Sequence, residues 1–111
     1  MKVKVSEASG PALDWMVRYA QNGRPPIDYV PNRDNFSTCW NKGGPLIERE
    51  LIRVIAPTVR GVDWVARIKQ GLPSSMNGWY EKNGPTPLIT AMRCYVASKL
   101  GEEVDVPEEL L

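Results

Sequence analysis

Residues 86–101, TPLITAMRCYVASKLG, constrain the fold more than any other stretch of this chain. Thr86 is a good N-cap and Pro87 a good first helical residue, because the N–H that proline lacks has no helical partner there anyway. Leu88, Met92, Tyr95, Val96 and Leu100 then recur at helical spacing and form one apolar stripe. Lys99 falls in the last turn, where the helix dipole favours a cation, and Gly101 takes the C-terminal cap. A helix with one apolar stripe is stable only when a second layer covers it. The rest of the chain has to supply that layer.

It offers both kinds of element. Lys2 to Val5 alternates charged and apolar residues, with Val3 and Val5 on one side, and reads as a short edge strand. Ser9-Gly10-Pro11 opens a helix on which Leu13, Met16, Val17 and Ala20 repeat at helical spacing. Asp14 and Arg18 are expected to pair at i, i+4 on its outer face, and Gly23 with Pro25-Pro26 ends it. In VDWVARIK, residues 62–69, Val62, Trp64, Ala66 and Ile68 share one face while Asp63, Arg67 and Lys69 share the other, the pattern of a half-buried strand. Residues 71–84, GLPSSMNGWYEKNG, form a turn-rich connection with room for a short strand around Trp79-Tyr80, and the tail EEVDVPEELL has room for another.

Residues 24–43 read as one long loop with three prolines and little periodicity, and loops of that length in compact domains are often functional. From Pro45 on, Ile47, Leu51, Val54 and Ile55 fit i, i+4, i+7, i+8, which predicts a helix over 45–51 turning to strand by Arg53 and stopped by Pro57. The sum is an α+β fold: one small domain with two to three helices on a short, mainly antiparallel sheet, like an α-β-α sandwich. A chain of 111 residues suits one modest core.

Composition then narrows the chemistry. The chain has no histidine, which removes a Ser-His-Asp triad, a Cys-His pair and a His-ligated zinc. Two distant cysteines, Cys39 and Cys94, cannot build a four-cysteine metal site and are expected to be reduced thiols. Acid–base chemistry would fall to carboxylates, Lys, Tyr or Cys, so the expectation is a non-catalytic protein with no metal and no cofactor. The net charge of +1 gives no general pull toward nucleic acid or membrane. Nucleic-acid binding ranks low: it would need a local patch, and the acidic C-terminal tail would repel phosphate. No apolar run is long enough to span a bilayer, and the start MKVKVSEASG lacks the apolar length of a signal peptide. A cytoplasmic location is therefore expected.

The stretch FSTCWNKGGPLIERE, residues 36–50, is the first candidate site. If Gly44-Pro45 opens a helix, the N–H groups of Gly43 to Leu46 are free donors that attract an anion. Lys42 adds a positive charge, Ser37 and Thr38 add hydroxyls, and Trp40 offers a flat face to a ring. Turn chemistry accounts for the same residues: Ser37 and Thr38 cap the turn, Gly43-Gly44 allow the bend, and Trp40 packs inward. No Walker pattern is present, since GGPLIE lacks the lysine that follows such a glycine loop. Trp40 and Trp79, in loops near glycines and with Tyr80 following Trp79, are tools for stacking a base and equally anchors for a protein partner, with simple packing ranked ahead of both, whereas Trp15 and Trp64 fall on core faces or beside them. Arg93 could reach Glu48 or Glu50, or grip a phosphate. Cys94 reads as a small buried hydrophobe. The candidate ligand-binding set is thus Ser37, Thr38, Trp40, Lys42, Gly43, Gly44, Trp79, Tyr80 and Arg93, with no catalytic residue among them.

The segments MKVKVSEASGPALDW, STCWNKGGPLIERE, DWVARI and GPTPLITAMRCYVASKLGEEVDVPEEL, in that order, resemble the NinX-like family of small proteins from lambdoid bacteriophages and their prophages. They cover well over half of the chain, and the C-terminal one is the most specific. Residues 24–35 and 55–61 carry little of the likeness. More distantly, the order of an STxxW stretch, a helix, a W-x-A strand and a TPL helix looks like small phage proteins with an α-β-α sandwich. The resemblance implies a phage accessory protein in the bacterial cytoplasm and supplies no mechanism. Such proteins often interfere with host systems, which points to a homo-oligomeric binder that sequesters a host nucleotide, including an immune signal. The alternative is a protein-binding inhibitor or adaptor of a host or phage enzyme, making contact through Tyr29, Phe36 and Trp40.

Overall fold

The computed structural model describes residues 1–27, 29, 33–69 and 79–111. The chain order is β1 (Lys2–Lys4), α1 (Gly10–Asn22), α2 (Trp40–Arg49), β2 (Arg53–Ile55), β3 (Trp64–Lys69), β4 (Trp79–Gly84), α3 (Pro87–Leu100) and β5 (Glu103–Asp105). Short 3-10 turns occupy Val5–Glu7 and Glu108–Leu110. This is the α+β class that the sequence predicts. Among the described residues no helix is long and apolar enough to cross a membrane.

Helix α3 sits at the centre. It packs against β3 and β4 on one side and α1 on another, with α2 nearby. The single apolar stripe read from the sequence is therefore too narrow: Thr90, Ala91 and Ala97 are buried as well as Leu88, Met92, Tyr95 and Val96, while Cys94 is buried as expected. A helix covered from two sides needs apolar or small residues on more than one face. Its ends are as expected, with Thr86 Oγ1 accepting the Ile89 N–H at 3.2 Å and Gly101 following Leu100 at φ 92°.

Strands β2, β3 and β4 form an antiparallel meander, and β1 pairs with β5 as a separate two-stranded ribbon. Ala66 and Ile68 of β3 are buried under α3 while Arg67 and Lys69 face outward, as alternation predicts. Val62 is exposed and precedes the strand, which begins at Trp64. The short strand expected around Trp79-Tyr80 is the six-residue β4. The part of the turn-rich connection at residues 70–78 lies outside the described residues.

Two local expectations are corrected. The first concerns α2, which starts at Trp40 rather than at Gly44-Pro45, so the loop from residue 24 ends at Cys39. Pro45 is the sixth residue of the helix. It removes one helical hydrogen bond, the one to the carbonyl of Asn41, an exposed residue that water can satisfy. The residue before a proline is normally pushed out of helical conformation by its Cβ, and Gly44 has none.

The second correction concerns Asp14, which does not pair outward with Arg18. Asp14 is buried, and its Oδ1 accepts the backbone N–H of Ser37 at 2.8 Å, pinning the 36–38 turn to α1. Arg18 faces Asp34 instead, at 3.9 Å. Burial pushes the Asp14 pKa up, aided by the nearby Asp34, against the opposing pull of Ser37. A carboxyl whose pKa is raised by folding binds protons more tightly in the native state. Asp14 therefore withdraws stability as pH climbs from the ordinary aspartate value of 3.8 through its raised native value. Asp14→Asn keeps an acceptor for Ser37 and removes that titration. Its unfolding free energy, measured by urea titration across pH 3 to 8, is expected to fall less over this window than that of the parent chain.

Candidate functional site

The starts of two helices meet in one cleft. Ser37, Thr38 and Trp40, leading into α2, form one wall, and Thr86, Pro87, Leu88 and Ile89, opening α3, form the other. The cleft holds about 290 Å³. The 36–38 turn is positioned from below by Asp14, and Thr38 and Cys39 both donate their N–H to Asn35 O, at 3.2 and 3.0 Å. Trp40 stands 57% exposed at the mouth, so its ring is available to a ligand rather than packed in the core.

Helix starts carry N–H groups with no partner inside the helix. In α2, Lys42 and Gly43 already donate to Cys39 O, at 3.1 and 2.9 Å. The donors expected at Gly43 to Leu46 are thus lost, and the anion-attracting end moves to Trp40 and Asn41. The cap Cys39 contributes no side-chain hydrogen bond there. In α3 the N–H of Ile89 is taken by Thr86, and Pro87 has none, which leaves that of Leu88. Both helix dipoles present their positive ends to this region. Ser37 is buried at the floor. Its hydroxyl has no full hydrogen bond of its own, although it lies close enough to Asp14 to draw that carboxyl's pKa down.

The nine candidate residues do not form one site. Ser37, Thr38 and Trp40 line the cleft. Lys42 is exposed in the first turn of α2 beside it. Gly43 is buried where α2 crosses Phe36 and Leu88, and Gly44 lies against the Trp40 ring. Trp79 is on β4, under the guanidinium of Arg53 at 4.7 Å. The backbone carbonyl of Tyr80 lies 3.3 Å from Cys94 Sγ. Arg93 reaches neither Glu48 nor Glu50: its Nε donates to Ala8 O at 2.8 Å and its Nη1 to Asn83 O at 3.0 Å, tying α3 to the first 3-10 turn and to β4. Two of its donors are thus given to backbone carbonyls.

Sequence reasoning missed the far wall, Thr86 to Ile89. It identified the segment as a helix start, but only tertiary packing brings it against Trp40. A further groove of about 390 Å³, between Pro26, Ile27 and Tyr29 on one side and Pro107, Glu109 and Leu110 on the other, includes Trp15 and, among the described residues, none of the nine candidates.

Among the described residues lining the cleft none is a carboxylate, lysine or arginine. Its aromatic face and hydroxyls are suited to stacking and hydrogen-bonding a ligand. Cys39 and Cys94 are free thiols, and burial pushes the Cys94 pKa up to about 12, which keeps it a protonated packing residue. Among the described residues no group of three or more His, Cys, Asp or Glu is placed to hold a metal.

A family model described as "Bacteriophage P22, NinX" matches residues 4–99, from the end of β1 to the last turn of α3. No curated protein matches the chain.

Proposed function

The chain belongs to the NinX family of bacteriophage P22, and from that premise we propose that this phage accessory protein binds a flat anionic ligand of nucleotide type in the α2/α3 cleft without turning it over. The observation that carries this reading is the convergence of two helix N-termini beside an exposed tryptophan. The dipoles and spare N–H groups suit a phosphate, and the Trp40 ring suits a base. The cleft's size sets a limit. At about 290 Å³ it lies at the small end of ordinary ligand sites, roughly 300–1,000 Å³. It takes a base or a phosphate-bearing end and leaves the rest of a nucleotide at the mouth. A second copy closing over Trp40 would cover that remainder, so the reading includes a homo-oligomer. It places the protein in the host cytoplasm, where sequestering a nucleotide signal would counter host defence.

The protein-docking alternative has weaker support. Of its three contact residues, Phe36 is buried and Tyr29 is half-buried with its hydroxyl donating to Pro11 O at 3.3 Å, so only Trp40 stands free to meet a partner.

The test is a thermal-shift screen of mono-, di- and cyclic nucleotides. A ligand at 100 times its Kd stabilises the native state by about 2.7 kcal/mol, which raises Tm by about 10 °C or more in a domain of this size. Trp40→Ala is expected to weaken binding about 5- to 100-fold. No shift with any nucleotide, or a shift that Trp40→Ala leaves intact, rejects the reading. A stoichiometric host protein recovered by pull-down through Trp40 would replace it.

A further inference from the structure

We propose that the groove between α1 and the C-terminal turn docks a proline-rich segment of a partner protein that carries a basic residue beside its prolines. The groove has two hollows that share Trp15 and Pro107. One, of about 490 Å³, adds Tyr19, Pro25 and Val106. The other, of about 390 Å³, adds Pro26, Leu110 and the exposed Ile27. The rings of Trp15 and Tyr19, one turn apart on α1, meet edge to face with 5.7 Å between their centres. This surface is separate from the cleft, with which it shares no lining residue among those described.

Two unspent hydrogen-bond donors carry the argument. Trp15 is 5% exposed and Tyr19 is half-buried. Indole N–H and phenol O–H groups in such places ordinarily have partners. Among the described residues, neither Trp15 Nε1 nor the Tyr19 hydroxyl donates to any protein group, whereas Tyr29 spends its hydroxyl on Pro11 O at 3.3 Å. Neither donor is sealed from solvent, so an acceptor lying in the groove can reach them. The rim adds charge of one sign. Glu109 borders one hollow and Glu108 the other, and neither carboxylate has an ion-pair partner among the described residues. Asp105 also lies on the rim, but the Met1 amino group holds it at 2.7 Å. No lysine or arginine is among the described lining residues.

Those features identify the occupant. It must bring free acceptors to the two donors, apolar surface to the proline and aromatic walls, and a cation to Glu108 and Glu109. A helical peptide keeps its carbonyls for its own hydrogen bonds, except in its last turn. An added strand gains its affinity from a sheet edge, and the floor here is a face of α1. A polyproline II segment leaves every carbonyl free. With about three residues per turn and a rise of about 3.1 Å, it places residues i and i+3 on one side, about 9 Å apart. Two hollows that share a tryptophan suit such a pair. Proline fixes φ in advance, so the segment is ordered before it binds and a shallow groove has little ordering entropy to offset. An arginine or lysine beside the prolines answers the two glutamates.

The experiment screens the full chain against an array of ten-residue peptides. Each has two prolines three positions apart and an arginine at one end, with the other positions varied. The best binders are then measured by fluorescence anisotropy. Tyr19→Phe removes one hydroxyl and is expected to weaken binding about 3- to 10-fold, as is Trp15→Phe, whose folding is checked by its Tm. Glu108→Gln combined with Glu109→Gln is expected to weaken binding about 2- to 10-fold at 50 mM salt and by less at 200 mM. Replacing the prolines of the peptide by alanine, or its arginine by glutamate, should cost about 5-fold or more. Trp40→Ala should bind as the parent does, which separates this surface from the cleft. No binder anywhere in the array overturns the proposal. So does a proline-free peptide that binds equally well, or parent-like binding by both Tyr19→Phe and the double glutamate variant. A dimer that sedimentation detects and Arg24→Ala dissolves also overturns it, because the occupant would then be the Arg24-Pro25-Pro26 segment of a second copy.

Discussion

Met92→Ala is expected to lower the unfolding free energy by about 2–5 kcal/mol, the range for truncating a fully buried long apolar side chain. Met92 has no exposed surface and lies in the part of α3 enclosed between the sheet and α1. The loss combines the transfer free energy of the removed atoms with a cavity that neighbours fill only in part. Domains of this kind have about 5–15 kcal/mol in total, so one side chain carries a large share of the stability. The Tm should fall by about 10–30 °C, and the urea midpoint should fall with an unchanged m-value. Met92→Leu, which conserves volume, should cost less than about 1.5 kcal/mol. Equal effects of the two substitutions would show that Met92 is not enclosed as described.

The same helix shows how far the sequence could be read. Caps and periodicity gave α3 both its ends, because Thr86, Pro87 and Gly101 act within a few residues of themselves. What periodicity could not give is the number of layers around it. Thr90 and Ala97 look neutral on a helical wheel, and their burial follows from the layers packed around α3, the sheet as well as α1. The β3 alternation was legible for the same local reason, and it fixed the outward placement of Arg67 and Lys69 long before their partners on β2 and β4 were known.

The errors cluster where a local rule met a long-range partner. Asp14 and Arg18 have ideal i, i+4 spacing, but the Ser37 N–H, 23 residues away, offers Asp14 a buried donor that outweighs an exposed ion pair. Opposite charge suggests carboxylates for Arg93, but its guanidinium donates to the carbonyls of Ala8 and Asn83, which the first 3-10 turn and β4 bring against α3. Pro45 was placed at a helix start by its commonest use, although Gly44 beside it permits another. The cleft is half legible: Ser37, Thr38 and Trp40 stood out by residue type, while the Thr86–Ile89 wall exists only once α2 and α3 have docked.

Gly43 and Gly44 supply a pair of substitutions whose expected effects differ in size. Both sit inside α2, where glycine is about 0.5–1 kcal/mol worse than alanine, so backbone entropy alone would make both changes to alanine stabilising. At Gly44 an added Cβ meets only Trp40 Cε3 beyond the chain neighbours, at 3.7 Å, an ordinary contact, but it restores the clash with the Pro45 ring that glycine avoids, which offsets the helical gain. Gly44→Ala is expected to change stability by less than about 1 kcal/mol. At Gly43 the added Cβ would stand 2.5 Å from Phe36 O and 2.7 Å from Leu88 Cδ2. The leucine can rotate away, but the carbonyl belongs to the turn that Asp14 holds in place and cannot move without lifting α2. Overpacking of this kind costs about 1–3 kcal/mol or more, which exceeds the helical gain, so Gly43→Ala is expected to destabilise by about 1–2 kcal/mol net. Parallel urea titrations of the two variants check this. Gly43→Ala should also widen or tilt the cleft, because Leu88 and the 36–38 turn are its walls, whereas Gly44→Ala should leave ligand affinity within about twofold. Two variants that are both stabilised would mean that α2 packs less closely on α3 than this geometry requires. Equal destabilisation of the two would mean that the Phe36 carbonyl does not set Gly43 apart from its neighbour.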